Sequence, residues 1–146
     1  MAFTGNYTCN TFLTGLPSGT FNLSTGTSNV FKIALYTNTA SLTNITAGYT
    51  SVGETSGGNY VAGGQILVVS QVPVVTNNAQ PAFFSFTNAA WTGSITARGA
   101  LIYKYDGVTN PAMVVLDFGS DKTSAATFTV QFPTANNSSA IIRIGY

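Results

Sequence analysis

ARGALIYKYDGVTNPAMVVLDF, residues 97–118, holds two apolar runs separated by a short polar segment. In the first run Leu101, Tyr103 and Tyr105 fall on one side of a two-residue period, and Arg98, Ile102 and Lys104 on the other. Asp106-Gly107 opens a turn and Pro111 closes it before Ala112–Phe118, where Val114, Leu116 and Phe118 share a side and Asp117 takes the opposite one. Two such strands with a short Gly- and Pro-containing connection predict an antiparallel hairpin. The second run ends in Asp117-Phe118-Gly119, a tripeptide that holds magnesium in protein kinases. A kinase also needs a glycine-rich phosphate loop, a strand lysine paired with a helical glutamate and a His-Arg-Asp loop. This chain of 146 residues has no histidine. The tripeptide is therefore read as the end of a strand, with Gly119 starting a turn.

The same period recurs on both sides of the hairpin. FKIALY (31–36) sets Phe31, Ile33 and Leu35 against Lys32, Ala34 and Tyr36, and TFTVQF (127–132) sets Phe128, Val130 and Phe132 against Thr127, Thr129 and Gln131. AFFSF (82–86) is a short strand, and AIIRIGY (140–146) sets Ile142, Ile144 and Tyr146 against Ile141 and Arg143. QILVVSQVPVV (65–75) is apolar on both sides, as in a buried strand, with Pro73 pushing its end to an edge or a bulge. A short strand is expected near 47–52, and the glycines of GETSGGNYVAGG mark a loop over 53–64. About eight short strands and no convincing amphipathic helix predict an all-β fold, an antiparallel β-sandwich. Eight strands also fit a jelly roll.

Residues 1–29 are set apart from the sandwich domain of 30–146. Glycines and Pro17 interrupt every run there, yet Phe3, Tyr7, Phe12, Leu16 and Phe21 recur, more large apolar groups than a solvated tail needs. They are the candidate interface residues. Two readings stay open: short edge strands folded on their own domain, or an arm that buries these side chains on a neighbouring subunit. An arm predicts that removing residues 1–28 leaves the sandwich folded.

Only 6% of the residues are charged, against about 25% in an average chain. Thr, Ser and Asn, about a third of the residues, supply the polarity instead and favour strands and turns. With a formal net charge of +1 and no run of like charge, nothing marks a nucleic-acid or anionic-membrane partner. The apolar runs are too short for a membrane helix. Cys9 stands alone, so there is no disulfide framework within the chain. MAFTGNYTCN has neither a basic start nor an apolar stretch, and no secretory leader is expected.

Chemistry is poorly supplied. Without histidine the commonest general base and metal ligand is missing. The loop at 53–64 lacks the Gly-Lys-Ser/Thr ending of a phosphate cradle. A glycosidase pair would have to come from Glu54, Asp106, Asp117 and Asp121, and a calcium site from Asp117 and Asp121 around a tight turn beside Lys122. Turn formation and local pairing with Lys122 or Arg98 explain those acids more simply. Tyr36, Tyr49, Tyr60, Trp91, Tyr103 and Tyr105 could build a sugar-stacking platform, although such rings more often fill a sandwich core, Trp91 above all. No enzyme activity and no cofactor are expected.

FKIALYT, NYVAGGQIL, ARGALIYKY, VVLDFGSDKTSAATFTVQFP and AIIRI, in this order from Phe31 to Ile144, resemble small virion proteins of tailed bacteriophages, in particular the head decoration or cement class with a β-sandwich or jelly-roll fold. The resemblance covers about three-quarters of the chain and does not extend to the first thirty residues. It implies a non-enzymatic protein on the outer surface of the virion capsid, bound to the major capsid protein lattice, often as a dimer or trimer. The alternative from another class is a tail- or fibre-associated module that binds a host-surface glycan through exposed tyrosines.

Overall fold

The computed structural model describes residues 3–26 and 28–145; Met1 and Ala2 of the N-terminal segment, Thr27, and Tyr146 of the expected last strand lie outside the described residues. Ten strands and one short helix follow in the order β1 (Tyr7–Thr8), α1 (Asn10–Gly15), β2 (Val30–Tyr36), β3 (Gln65–Leu67), β4 (Val69–Thr76), β5 (Ala79–Phe86), β6 (Ala89–Thr92), β7 (Ile95–Tyr105), β8 (Ala112–Ser124), β9 (Thr127–Val130) and β10 (Ile142–Ile144). All pairings between these strands are antiparallel. One sheet runs β1-β8-β7-β2-β3; a three-stranded sheet, β10-β5-β4, and a two-stranded one, β6-β9, complete the fold. It is an antiparallel β-sandwich.

The hairpin read from 97–118 is the centre of the five-stranded sheet. β7 and β8 are its longest strands, and Gly99–Tyr103 and Ala112–Leu116 are buried without a break. Burial on both faces requires cover on both faces. On one side Phe31, Ile33, Leu35, Ala100, Ile102, Val114 and Leu116 meet Phe84, Phe86, Trp91, Phe128, Val130 and Ile142 from the smaller sheets. On the other, Ala34, Tyr36, Leu101, Tyr103 and Val115 pack with Phe3, Cys9, Ala40 and Leu42 from connecting segments. The period-two pattern read in β2, β7 and β8 sorts residues between these two cores.

Gly99 marks where cover comes closest. A Cβ there would lie 2.4 Å from the Leu116 carbonyl oxygen and 2.4 Å from the Phe3 ring, so only glycine lets the ring lie against the strand. Beside it the ladder breaks: Ala97 pairs with Lys122 and Gly99 with Asp117. The four residues Phe118–Asp121 thus face the single Arg98 and bulge out, which increases local bending. A turn at Gly119 was the expectation. Instead β8 carries on to Ser124, and Gly119, at φ 79° and with its N–H donated to Asp117 Oδ1, provides the bulge.

Three further expectations are corrected. No strand forms at 47–52, where Gly48 makes a lone bridge to Pro111 and the loop bonds to the β7–β8 turn instead. The run 65–75 is not a buried strand: it splits at Val68, and most of β4 is exposed. Register shifts surrounding Pro73 take β4 out of regular pairing; Val69 still packs against the core, while Val72, Val74 and Val75 are exposed. A helix does form at Asn10–Gly15. Six residues are too few to show a period, and no side-chain cap announces this helix; the burial of Phe12 holds it.

Residues 3–26 fold onto this same chain. Phe12 and Phe21 meet edge to face at 5.1 Å inside the core between the sheets, and Phe12 also touches Phe84. Phe3 lies in the other core, Leu16 and Tyr7 are half-buried against the two cores, and β1 pairs with Val114 and Val115. Phe12→Ala is expected to cost about 3–5 kcal/mol, read as a lower denaturation midpoint in urea. A chain lacking residues 1–28 loses Phe12, Phe21 and Leu23 together and is expected to lack a cooperative unfolding transition.

Candidate functional site: tyrosines around Glu54

Four of the six aromatic residues singled out above converge on one carboxylate. Glu54 sits in the glycine-rich loop, bridged through its backbone to Tyr36 at the end of β2. Its Oε2 accepts the Tyr49 hydroxyl at 2.7 Å; its Oε1 accepts the Tyr60 hydroxyl at 2.5 Å and the Gly63 N–H at 2.7 Å. The Tyr60 oxygen in turn accepts the Leu35 N–H at 2.9 Å. Tyr103 donates to the Gly63 carbonyl at 2.8 Å and stacks on Tyr49 with centroids 5.0 Å apart, while Tyr36 donates to the Thr50 carbonyl at 2.6 Å. Gly64 closes the loop at φ 70°, where a Cβ would lie 1.8 Å from the Ile33 carbonyl oxygen.

The electrostatics follow from that enclosure. Burial pushes the phenols of Tyr36, Tyr49 and Tyr60 well above their ordinary value, and the hydrogen bond to Glu54 adds to the rise at Tyr49 and Tyr60. Tyr103 is pushed up to about 12 by burial, reinforced by the negative charge of Glu54. All four hydroxyls are donated to acceptors within the chain. The cluster is a fastening that ties the loop at 53–64 to β2 and β7.

This arrangement leaves little of a sugar platform. Tyr36 and Tyr103 are fully buried, Trp91 lies in the core beside Tyr60, and Tyr49 and Tyr60 are half-buried. Tyr105 alone among them is exposed, with the Lys32 amine 4.8 Å from its ring centroid. The acids are dispersed. Asp117 pairs with Arg98, and Asp121 accepts the Asn38 side-chain amide at 3.0 Å. Asp106 caps its own turn; the N–H of Asn110, the Thr109 hydroxyl and the Val108 N–H hold its carboxyl well below the usual range. Among the described residues no three His, Cys, Asp or Glu side chains gather as metal ligands would. Burial raises the Cys9 thiol to about 12, which leaves it a poor nucleophile.

The candidate interface residues are not presented as a surface. Phe3, Phe12 and Phe21 are interior, and Tyr7 and Leu16 are half-buried against the cores. Sequence reasoning missed two things. One is Glu54 as the centre of the tyrosines, which a lone acid six residues before Tyr60 in a glycine-rich loop could have suggested. The other is a set of exposed aliphatic side chains: Leu13 on α1 and, on connections, Ile45 and Val108, the last two 77% and 86% exposed. The Asn10 N–H donates to the Asn44 carbonyl, the Thr11 hydroxyl to the Ala47 carbonyl and the Tyr49 N–H to the Asn110 carbonyl. These bonds draw the helix, the 43–50 loop and the β7–β8 turn together, so the three aliphatic residues ride on adjoining pieces. Comparison with known proteins returns no family model, no curated protein and no solved structure that matches this chain.

Tyr60→Phe removes a donor from Glu54 and the acceptor of the Leu35 N–H. It is expected to cost about 1–3 kcal/mol and to speed hydrogen exchange across the loop. A folded-state value raised from 10.0 to about 12 for Tyr103 means that the folded state holds this proton more tightly than the unfolded chain. That contribution is fully present below pH 10 and lost as pH rises through 12. Phenolate absorbance and denaturant midpoints should therefore show late-titrating tyrosines and falling stability across that window.

Proposed function

We propose that this chain is a non-enzymatic structural virion protein that binds the outer surface of a tailed-bacteriophage capsid and braces its major capsid protein lattice. The observation that carries the proposal is a set of exposed aliphatic side chains, Leu13 on α1, Ile45 on the 43–50 loop and Val108 on the β7–β8 turn, on segments that the loop bonds together at a nearly uncharged surface. Uncovered aliphatic groups of this kind mark contact sites, and low charge suits close packing among many neighbours. The sandwich behind them, with its central sheet covered on both faces, is stiff enough to transmit load between subunits. The order of strand segments that resembles the cement class supports the same reading, jelly-roll kinship included. Attachment through these exposed groups replaces attachment through Phe3, Tyr7, Phe12, Leu16 and Phe21, whose side chains are used in the chain's own cores. Repetition over a lattice lets modest single contacts hold firmly.

The test is co-sedimentation of the purified chain with phage shells that lack it. Saturable binding at hundreds of copies per shell is expected. Affinity should vary less than about threefold between low and high salt, because few charges take part. A Leu13→Ser, Ile45→Ser, Val108→Ser variant should keep its denaturation midpoint and bind at least about tenfold more weakly, since each lost apolar contact removes on the order of 1 kcal/mol. Absence of binding at micromolar protein overturns the proposal.

A further inference from the structure

The chain contains one Asp-Gly step, Asp106-Gly107, and no Asn-Gly step. An aspartate followed by glycine is where a polypeptide rearranges most readily without any enzyme. The Gly107 nitrogen, losing its proton, attacks Cγ of a protonated Asp106 carboxyl. A C–N bond forms, the carboxyl hydroxyl leaves as water, and a succinimide closes. Water then reopens the ring at either carbonyl, giving back aspartate or giving isoaspartate, in which the main chain runs through the side-chain carbons. Glycine favours the step because it has no Cβ to shield its nitrogen. Little shields Gly107 from outside: residues 105–109 are exposed, and no atom beyond its chain neighbours would lie within 4 Å of an added Cβ.

Both partners of the reaction are nevertheless engaged, and Asn110 engages both. It sits at φ 44°, in the left-handed region that asparagine tolerates in turns. Its Oδ1 accepts the Gly107 N–H and the Asp106 N–H, each at 3.1 Å. The proton that Gly107 must lose is thus held by an amide oxygen, too weak a base to remove it. The carboxylate is held as well. Asp106 Oδ1 accepts the N–H groups of Val108, Thr109 and Asn110, each at 2.8 Å, and Oδ2 accepts the Thr109 hydroxyl at 2.7 Å. Those donors keep the carboxyl ionised, and an ionised carboxyl has no hydroxyl to release as water. The turn is also fixed from outside. The Asn110 carbonyl accepts the Tyr49 N–H at 2.9 Å, and a Cβ on Gly48 would lie 2.6 Å from the Thr109 carbonyl oxygen.

We propose that Asp106-Gly107 is a latent isoaspartate site, held unreacted by Asn110 as a positioning residue. Its side-chain oxygen pins the Gly107 N–H, and its own N–H helps to pin the Asp106 carboxylate. Rearrangement then requires the turn to open, so isoaspartate at 106 accumulates only in chains whose turn has come away from the 43–50 loop. Once formed, it lengthens the main chain by one carbon just before Val108 and prevents the turn from closing as before. The inference concerns the turn alone and is independent of any capsid.

The full chain is kept for weeks at neutral pH and body temperature beside a synthetic peptide of residues 103–112. Isoaspartate at 106 is counted by enzymatic carboxyl methylation and located by fragmentation mass spectrometry. The native chain should form it at least about tenfold more slowly than the peptide, as expected when reaction needs a local opening. Asn110→Gly suits the positive φ, keeps the N–H to Asp106 and removes only the side-chain acceptor. It should form isoaspartate at least about fivefold faster than the native chain, with no increase at Asp117 or Asp121. A native chain that isomerises as fast as the peptide overturns the proposal, and so does a folded Asn110→Gly chain that isomerises no faster than the native one. Hydrogen exchange at the Gly107 N–H reads the guard without any variant: it should be slower in the native chain than in the peptide, and equal rates overturn the proposal even if Asn110→Gly fails to fold.

Discussion

Everything in this molecule depends on the pairing of β7 with β8. These two strands hold the middle of a sheet that is buried on both faces, and each face needs its own cover. The smaller sheets supply one cover; the N-terminal segment and the connection after β2 supply the other. That requirement explains why so much irregular chain is tightly held. A two-layer sandwich ordinarily leaves its outer faces polar, and here the outer face of the central sheet is apolar and closed by Phe3, Cys9, Ala40 and Leu42.

The alternation in FKIALY, ARGALIYKY and TFTVQF was legible because each stretch lies where two faces meet different surroundings. Even the fully buried middle of β7 kept its period, since Ile102 goes to one core and Leu101 and Tyr103 to the other. Legibility failed where tertiary context decides. QVPVV (71–75) has the composition of a core strand, yet Val72, Val74 and Val75 stand in water, because burial depends on what is opposite and not on the residue alone. Phe118–Asp121 read as a turn because Gly119 and two aspartates suit one; a wide bulge uses the same residues and reverses nothing. The short helix and the tyrosine cluster depend on contacts between distant segments, which no local period can display.

The scarcity of charge shapes both cohesion and surface. With four acids in the whole chain, each has an identifiable structural duty: Asp117 neutralises Arg98 opposite the bulge, Asp106 caps a turn, Asp121 takes the Asn38 amide, and Glu54 gathers the tyrosines. The surface is consequently a field of hydroxyls and amides broken by exposed aliphatic groups. Such a surface has little means of rejecting a wrong neighbour by repulsion. Selectivity has to come from shape, and the bulges and Pro73 of β4 limit indiscriminate strand addition at its most exposed edge.

Glu54 is a single point on which twelve residues of loop are hung. Tyr49, Tyr60 and Gly63 all reach for its carboxylate, whereas the exposed positions Ser56 to Asn59 contribute no bond to it. Those positions are held separately: Asn59 exchanges hydrogen bonds with Thr92, and Gly57 and Gly58 lie against the backbone of Ser94 and Thr92. A loop clamped at two places has little freedom of length, so new contact surfaces can be tried there only by exchanging side chains on a fixed backbone.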